Sequence, residues 1–258
     1  MYDRYQSRKK SNFLFRVAVI FVVAGAAIFI GVKYQRHLAF WRYNQNKLYG
    51  RVDAARRIKD IDRKREALGD LAETFTHYKD EREADPEAFI ISGEIRYLRG
   101  LTYLPGNFSE LFINDRVHEV SSEAKAEFIK AIKDFKKGGA LDEDALNDAT
   151  IFMLAKSAYY AGYYSPEEIF RLIEKAGRSK KGGDIENIRF YAVVHIINGK
   201  EDYGLTFLSE NGMVRDNIQG LLFYATAERI SKKYTGAIMS YRDVLARTTD
   251  DRIRELVH

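Results

Sequence analysis

The stretch LAKSAYYAGYYSPEEIFRLIEKAG, Leu154–Gly177, puts four tyrosines into six residues and then opens a helix. Ser165 stands as an N-cap, Pro166 takes the first helical position, and Glu168 follows three residues after the cap. At that spacing the two side chains satisfy each other's backbone amides, which otherwise have no partner at a helix start. Upstream, the small Ala155 is followed seven residues later by Gly162, a residue suited to ending a helix in the left-handed conformation. The stretch therefore reads as helix, reversal, helix. Tyr163 and Tyr164 fall at the reversal, where the reading assigns them to packing.

Working outward, the same pairing of a small residue with a glycine seven places on recurs at Gly93/Gly100 and Ala192/Gly199, and Ala225 continues it with Lys232 in the glycine place. Gly204 and Ala237 lie twelve residues after Ala192 and Ala225, where a small residue lets the returning helix approach closely. Asp85, ahead of Pro86 and Glu87, repeats the capped start, and Asp142 and Asp184 are read as further caps. Convincing period-two alternation is absent and there are only three prolines, so the predicted class is all-α. Ahead of the repeats, Ile58, Ile61, Leu68, Leu71, Phe75 and Tyr78 share one face of a single helix expected over Ala54 to Tyr78.

These residues resemble the tetratricopeptide (TPR) family. In YATAERISKKYTGAIMSYRDVLA, Tyr224-Ala225, Tyr234, Ala237, Tyr241 and Val244 take the family's large-small pair, helix-end aromatic, small residue, aromatic and final apolar position. Leu154-Ala155, Gly162 and Tyr164 match similarly, and Phe190-Tyr191-Ala192, Gly199, Gly204 and Leu208 form a shorter copy. Ala131, Phe135 and Gly138 look like the second helix of a pair whose first helix is 87–99, displaced by an insertion near 104–120. The resemblance covers roughly residues 85–247, and the copies are degenerate, without the family's tryptophan or terminal proline. It implies an α-solenoid of about four helical hairpins. It also implies that Tyr97, Lys156, Tyr159, Tyr160, Arg189 and Arg229 lie on the face that binds a protein partner, where the cations would receive an acidic segment and the rings its apolar side chains.

The other end of the chain reads as a membrane anchor. Phe13 to Val32 is a run of 20 residues with one charge, Arg16 near its end. At roughly 1.5 Å per residue it reaches across a hydrocarbon core of roughly 30 Å, with Arg16 snorkelling to the headgroups. Residues 1–12 form a short basic tail, 33–52 a juxtamembrane helix with Gly50 as its expected stop, 53–84 the leading amphipathic helix, and 85–258 the repeat domain. Cations flank the span evenly, and the compact Arg8-Lys9-Lys10 cluster tilts the N-terminus toward the cytoplasm. The expected location is the bacterial inner membrane, single-pass, with the C-terminal domain on the periplasmic side. Ala27 and Gly31, four apart in the span, suit helix pairing and hence a homo-oligomer.

Charge divides with the same boundary. Residues 1–51 carry ten Lys/Arg and one acid, whereas residues 52–258 carry 32 Lys/Arg and 36 acids. The basic character belongs to the membrane flanks, so nucleic acid is not an expected partner. Lack of cysteine removes disulfides and thiolate chemistry. The histidines His37, His77, His118, His195 and His258 are scattered without metal-ligand spacing, His195 being read as a core residue, and no phosphate-loop or nucleophile-elbow motif occurs. The acids Asp142, Glu143 and Asp144 are read as a helix start favoured by the helix dipole. The expectation is therefore no enzyme, no cofactor and no metal, but a membrane-tethered interaction scaffold of a bacterial envelope assembly, such as flagellar motor periphery or secretion machinery, with a chaperone-like helper of translocation as the alternative. The rival of another class is a membrane-bound enzyme or receptor using the 104–120 insertion with Asn107 and Asp115, since loops of that length in a helical array usually serve something.

Overall fold

The computed structural model describes residues 45–104, 120–176, 185–211, 217–251 and 254. The anchor at 13–32, Asp184 and all but the ends of the 104–120 insertion lie outside the described residues. Among the described residues there are ten α-helices, one 3-10 turn and no strand. In chain order these are α1 (Gln45–Arg57), α2 (Ile61–Asp80), α3 (Pro86–Leu101), α4 (Ser122–Leu141), the 3-10 turn Glu143–Ala145, α5 (Asp148–Ala161), α6 (Pro166–Ala176), α7 (Ile185–Ile197), α8 (Glu201–Asn211), α9 (Ile218–Ile230) and α10 (Tyr234–Arg247). The chain divides into two compact units, Met1–Asp53 and Ala54–His258. No helix of the described residues is long and apolar enough to cross a membrane.

Within the second unit, α3 packs on α4, α5 on α6, α7 on α8, and α9 on α10, so four helical pairs follow one another in sequence. The pairs join through α4 against α5, α6 against α7, and α8 against α9, while α2 covers α3. Their shared core carries a large ring from every pair: Phe128 and Phe135 on α4, Tyr160 on α5, Phe190 on α7 and Phe223 on α9, each at most 1% exposed.

Local chemistry sets the helix starts. The Ser165 amide donates to Glu168 Oε2 at 2.8 Å and the Glu168 amide to Ser165 Oγ at 3.3 Å, closing the capping box. Asp60, Asp85, Ser121, Asn147 and Asn217 each accept a backbone amide of the first turn of α2, α3, α4, α5 and α9.

Helix ends repeat one motif three times. Gly162, Gly199 and Lys232 have φ of 61°, 73° and 60°. In each, the following amide reaches back five residues: Tyr163 to the Ala158 carbonyl at 2.9 Å, Lys200 to His195 at 3.0 Å, Lys233 to Glu228 at 2.9 Å. That left-handed closure satisfies carbonyls that the ending helix leaves over. Lys232, in the place predicted for glycine, adopts the same left-handed backbone despite its Cβ.

Glycines also bring pairs together. A Cβ on Gly93 would stand 2.7 Å from the Phe135 ring, and one on Gly100 2.7 Å from the Phe128 ring. At Gly204 it would meet the Ala192 carbonyl oxygen at 2.8 Å. Only the bare backbone admits these contacts.

Several sequence expectations need correction. Gly100 does not end a helix: α3 runs on to Leu101, and the glycine serves the approach of Phe128 instead. Gly50 does not stop α1, which continues to Arg57. The helix expected over Ala54 to Tyr78 is two, broken where the Asp60 carboxylate takes the Arg63 amide at 2.8 Å; Ile61, at the fresh start of α2, is 50% exposed rather than buried. Asp142 caps only the 3-10 turn, α5 being capped by Asn147. Tyr163, assigned to packing, is exposed, as is Tyr234 at the helix-end aromatic position.

Candidate functional site

The residues assigned to partner binding fall along the first helices of successive pairs: Tyr97 on α3, Lys156, Tyr159 and Tyr160 on α5, Arg189 on α7 and Arg229 on α9. Their exposure differs widely. Tyr97, Lys156, Tyr160 and Arg189 are buried, Tyr159 is half-buried, and Arg229 is exposed.

Burial joins most of them into a seam. The Tyr160 ring stacks on Phe128 at 5.2 Å between centroids, and burial pushes its hydroxyl well above the ordinary tyrosine range. Tyr159 packs edge-on against both Tyr160 and Phe190. Lys156 donates to Asn187 Oδ1 at 2.7 Å and lies over the Phe190 ring. Arg189 stands over the Phe223 ring, with Glu186 as an ion-pair partner at 3.7 Å. Desolvation lowers its pKa and Glu186 partly restores it. Two cations thus line a seam between α5, α7 and α9, with Thr226 accepting the Tyr241 hydroxyl at 2.9 Å farther along α9. The seam reaches solvent through Tyr159 and Glu186, and Arg229 lies at the open surface of α9. The arrangement offers aromatic rings and cationic donors.

His195 is a core residue, 4% exposed and boxed by the rings of Phe170, Tyr191 and Tyr203 at 4.5 to 4.9 Å. Among the described residues no group of three His, Asp or Glu side chains is placed to hold a metal ion.

Sequence reasoning missed a second place, where α2 lies along α3. An open cleft of about 750 Å³ is lined there by Asp62, Arg65, Glu66, Asp70, Glu73, Thr76, His77, Arg96, Arg99 and Tyr103, with Gly69 between. Arg96 and Arg99 form its floor. Both reach behind to the same buried carboxylate, Glu127 of α4, at 3.1 and 3.3 Å, and Lys130 joins them there at 3.3 Å. Arg96 also donates to Thr76 Oγ1 at 3.3 Å, while the buried Arg99 Nε has no acceptor. At one end Arg65 lies over the Tyr103 ring and donates to the Thr102 carbonyl at 2.5 Å. The spacing of Asp62, Glu66, Asp70 and Glu73 is legible as one helix face, but nothing in the sequence says that Arg96 and Arg99 stand opposite it.

No family model matches the chain, and neither the curated proteins nor the solved structures contain a significant match to it.

Proposed function

We propose that this protein is a membrane-tethered scaffold whose repeat domain binds another protein. The anchor would be residues 13–32, and the four successive helical pairs would form a degenerate TPR-like α-solenoid. The observation that carries the reading is the recurrence of one helical pair with the same left-handed closure at Gly162, Gly199 and Lys232. A chain built from such pairs presents equivalent side chains from successive first helices, and a partner segment can run across them. Tyr159 and Arg229 are the accessible members of that set, with Lys156 and Arg189 behind them as a cationic seam.

The mechanism is confinement. Holding a partner on a bilayer surface raises its effective concentration near other membrane components without any chemical step. A bacterial envelope assembly, such as flagellar motor periphery or secretion machinery, suits that layout, with the domain on the periplasmic side of the inner membrane.

Replacing Tyr159 and Arg229 together by alanine tests the reading. The expected outcome is loss of the co-purified partner with the helical circular dichroism unchanged. Full retention of the partner would move the interaction to another face.

A further inference from the structure

We infer that the cleft between α2 and α3 is a binding site for a small zwitterion, a molecule joining an oxyanion to a primary ammonium. Charges of both signs line the cleft, and most of its acids make no ion pair among the described residues. On the floor, Arg96 and Arg99 divide the single carboxylate of Glu127, which Lys130 also approaches, so the guanidinium charge exceeds its counter-charge. Glu127 is 8% exposed, and Arg96 is further engaged by the Ala72 carbonyl and Thr76 Oγ1, so it is Arg99, with its Nη2 beside Gly69, that turns an edge to the cleft.

Across the gap, α2 presents Glu66, Asp70 and Glu73, none of which makes an ion pair among the described residues, and Asp62, which pairs with Arg65. Spaced four and three residues apart, they occupy one face of the helix. Gly69, at the middle of that face, has no side chain to fill the space before Arg99; a Cβ there would only just touch the guanidinium, at 3.5 Å.

A simple anion would meet the Arg floor but face four carboxylates, and a simple cation would meet the reverse. A molecule with both charges matches both walls. Its oxyanion, phosphate or carboxylate, would take the Arg99 Nη2 edge beside Gly69, while its ammonium would lie among Glu66, Asp70 and Glu73. Phosphoethanolamine and α-amino acids share this chemistry. The assignment is independent of the protein-binding face on α5, α7 and α9.

The test is calorimetric titration of the full chain in detergent micelles with phosphoethanolamine, glycine, inorganic phosphate and ethanolamine. Saturable binding of a zwitterion roughly tenfold tighter than either half-molecule is expected. Arg99→Gln and, separately, Asp70→Asn should each weaken it roughly fivefold or more, with helical content intact. Phosphoethanolamine ahead of glycine assigns a phosphate head, and the reverse order a carboxylate; both uphold the site. Phosphate alone binding as well as the zwitterion, insensitivity to both substitutions, or no saturable binding of either zwitterion would overturn it. Reconstitution into phosphatidylglycerol vesicles with and without phosphatidylethanolamine then separates the sources. Competition by the mixed vesicles assigns a lipid headgroup, and undiminished binding assigns a free ligand.

Discussion

The first and last helical pairs are built from the same plan with opposite tolerances. In α3/α4 the helices meet through glycine: Gly93 accepts the Phe135 ring and Gly100 the Phe128 ring at distances no Cβ allows. Asp134 on α4 accepts from Ser92 on α3 at 2.7 Å and from Lys79 on α2 at 2.5 Å, tying the same pair to the helix that covers it. In α9/α10 Ala225 and Ala237 are buried, a Cβ on Gly236 would run into the Glu228 carboxylate, hydroxyl bonds run from Tyr241 to Thr226 and Ser240 to Glu228, and the outer surface of α10 leaves Tyr234, Ile238 and Met239 more than half exposed. Close approach gives the first pair an aromatic interior, whereas the last pair leaves large apolar side chains at its rim. The difference teaches that small positions admit different neighbours: buried rings against Gly93 and Gly100 in the first pair, a carboxylate against Gly236 in the last.

The largest expected effect is Phe135→Ala, which empties the space Gly93 makes and should cost about 3 to 5 kcal/mol in a denaturant melt of the full chain. A smaller loss would mean that α3 and α4 collapse together and that the glycine contact is not rigid. Next comes a pair of glycine substitutions. Gly93→Ala should destabilise by about 1 to 3 kcal/mol, because the clash with Phe135 outweighs the better helix propensity. Gly69→Ala, also mid-helix but facing the open cleft, should instead stabilise by about 1 kcal/mol. Equal signs would break the distinction between a glycine that is packed against and one that is not.

At the last pair, Lys232→Gly should stabilise by roughly 1 kcal/mol, since glycine adopts φ of 60° without the strain of a Cβ. Loss of stability there would show that the Lys232 side chain contributes more than its backbone costs. The smallest effect is Met239→Ser on the exposed face of α10, expected within about 0.5 kcal/mol of zero. A clear destabilisation would mean that this face is covered in the native protein.

Much of the fold was legible because helix ends are local events. The capping box at Ser165 and Glu168 involves four consecutive residues, and the glycine seven places after Ala155 or Ala192 marks a closure whose hydrogen bonds span five residues. The sequence pattern also paired 87–99 with the helix holding Ala131 and Phe135 across the insertion, as α3 and α4 do. Where the reading failed, a non-local partner decided. Gly100 looks like any terminating glycine until the Phe128 ring is beside it. Asp60 as a cap was hidden inside an apolar stripe that runs on at helical spacing through the break.

The site was less legible than the fold. The resemblance put Lys156 and Arg189 on the partner-binding face, yet both are 4% exposed and lie over the Phe190 and Phe223 rings. The cleft was invisible for the complementary reason: its acids lie on α2 and its cations on α3, and only the packing of those two helices sets them face to face.

The central claim, that successive first helices present a protein-binding face, is tested most directly by in-cell photocrosslinking from Arg229, with Lys137 on the exposed side of α4 as the control position. The account predicts one specific heavier adduct from Arg229, shared with a probe at Tyr159 and absent from Lys137. No adduct from Arg229 and Tyr159 in the folded protein, or the same adduct from Lys137, would contradict it.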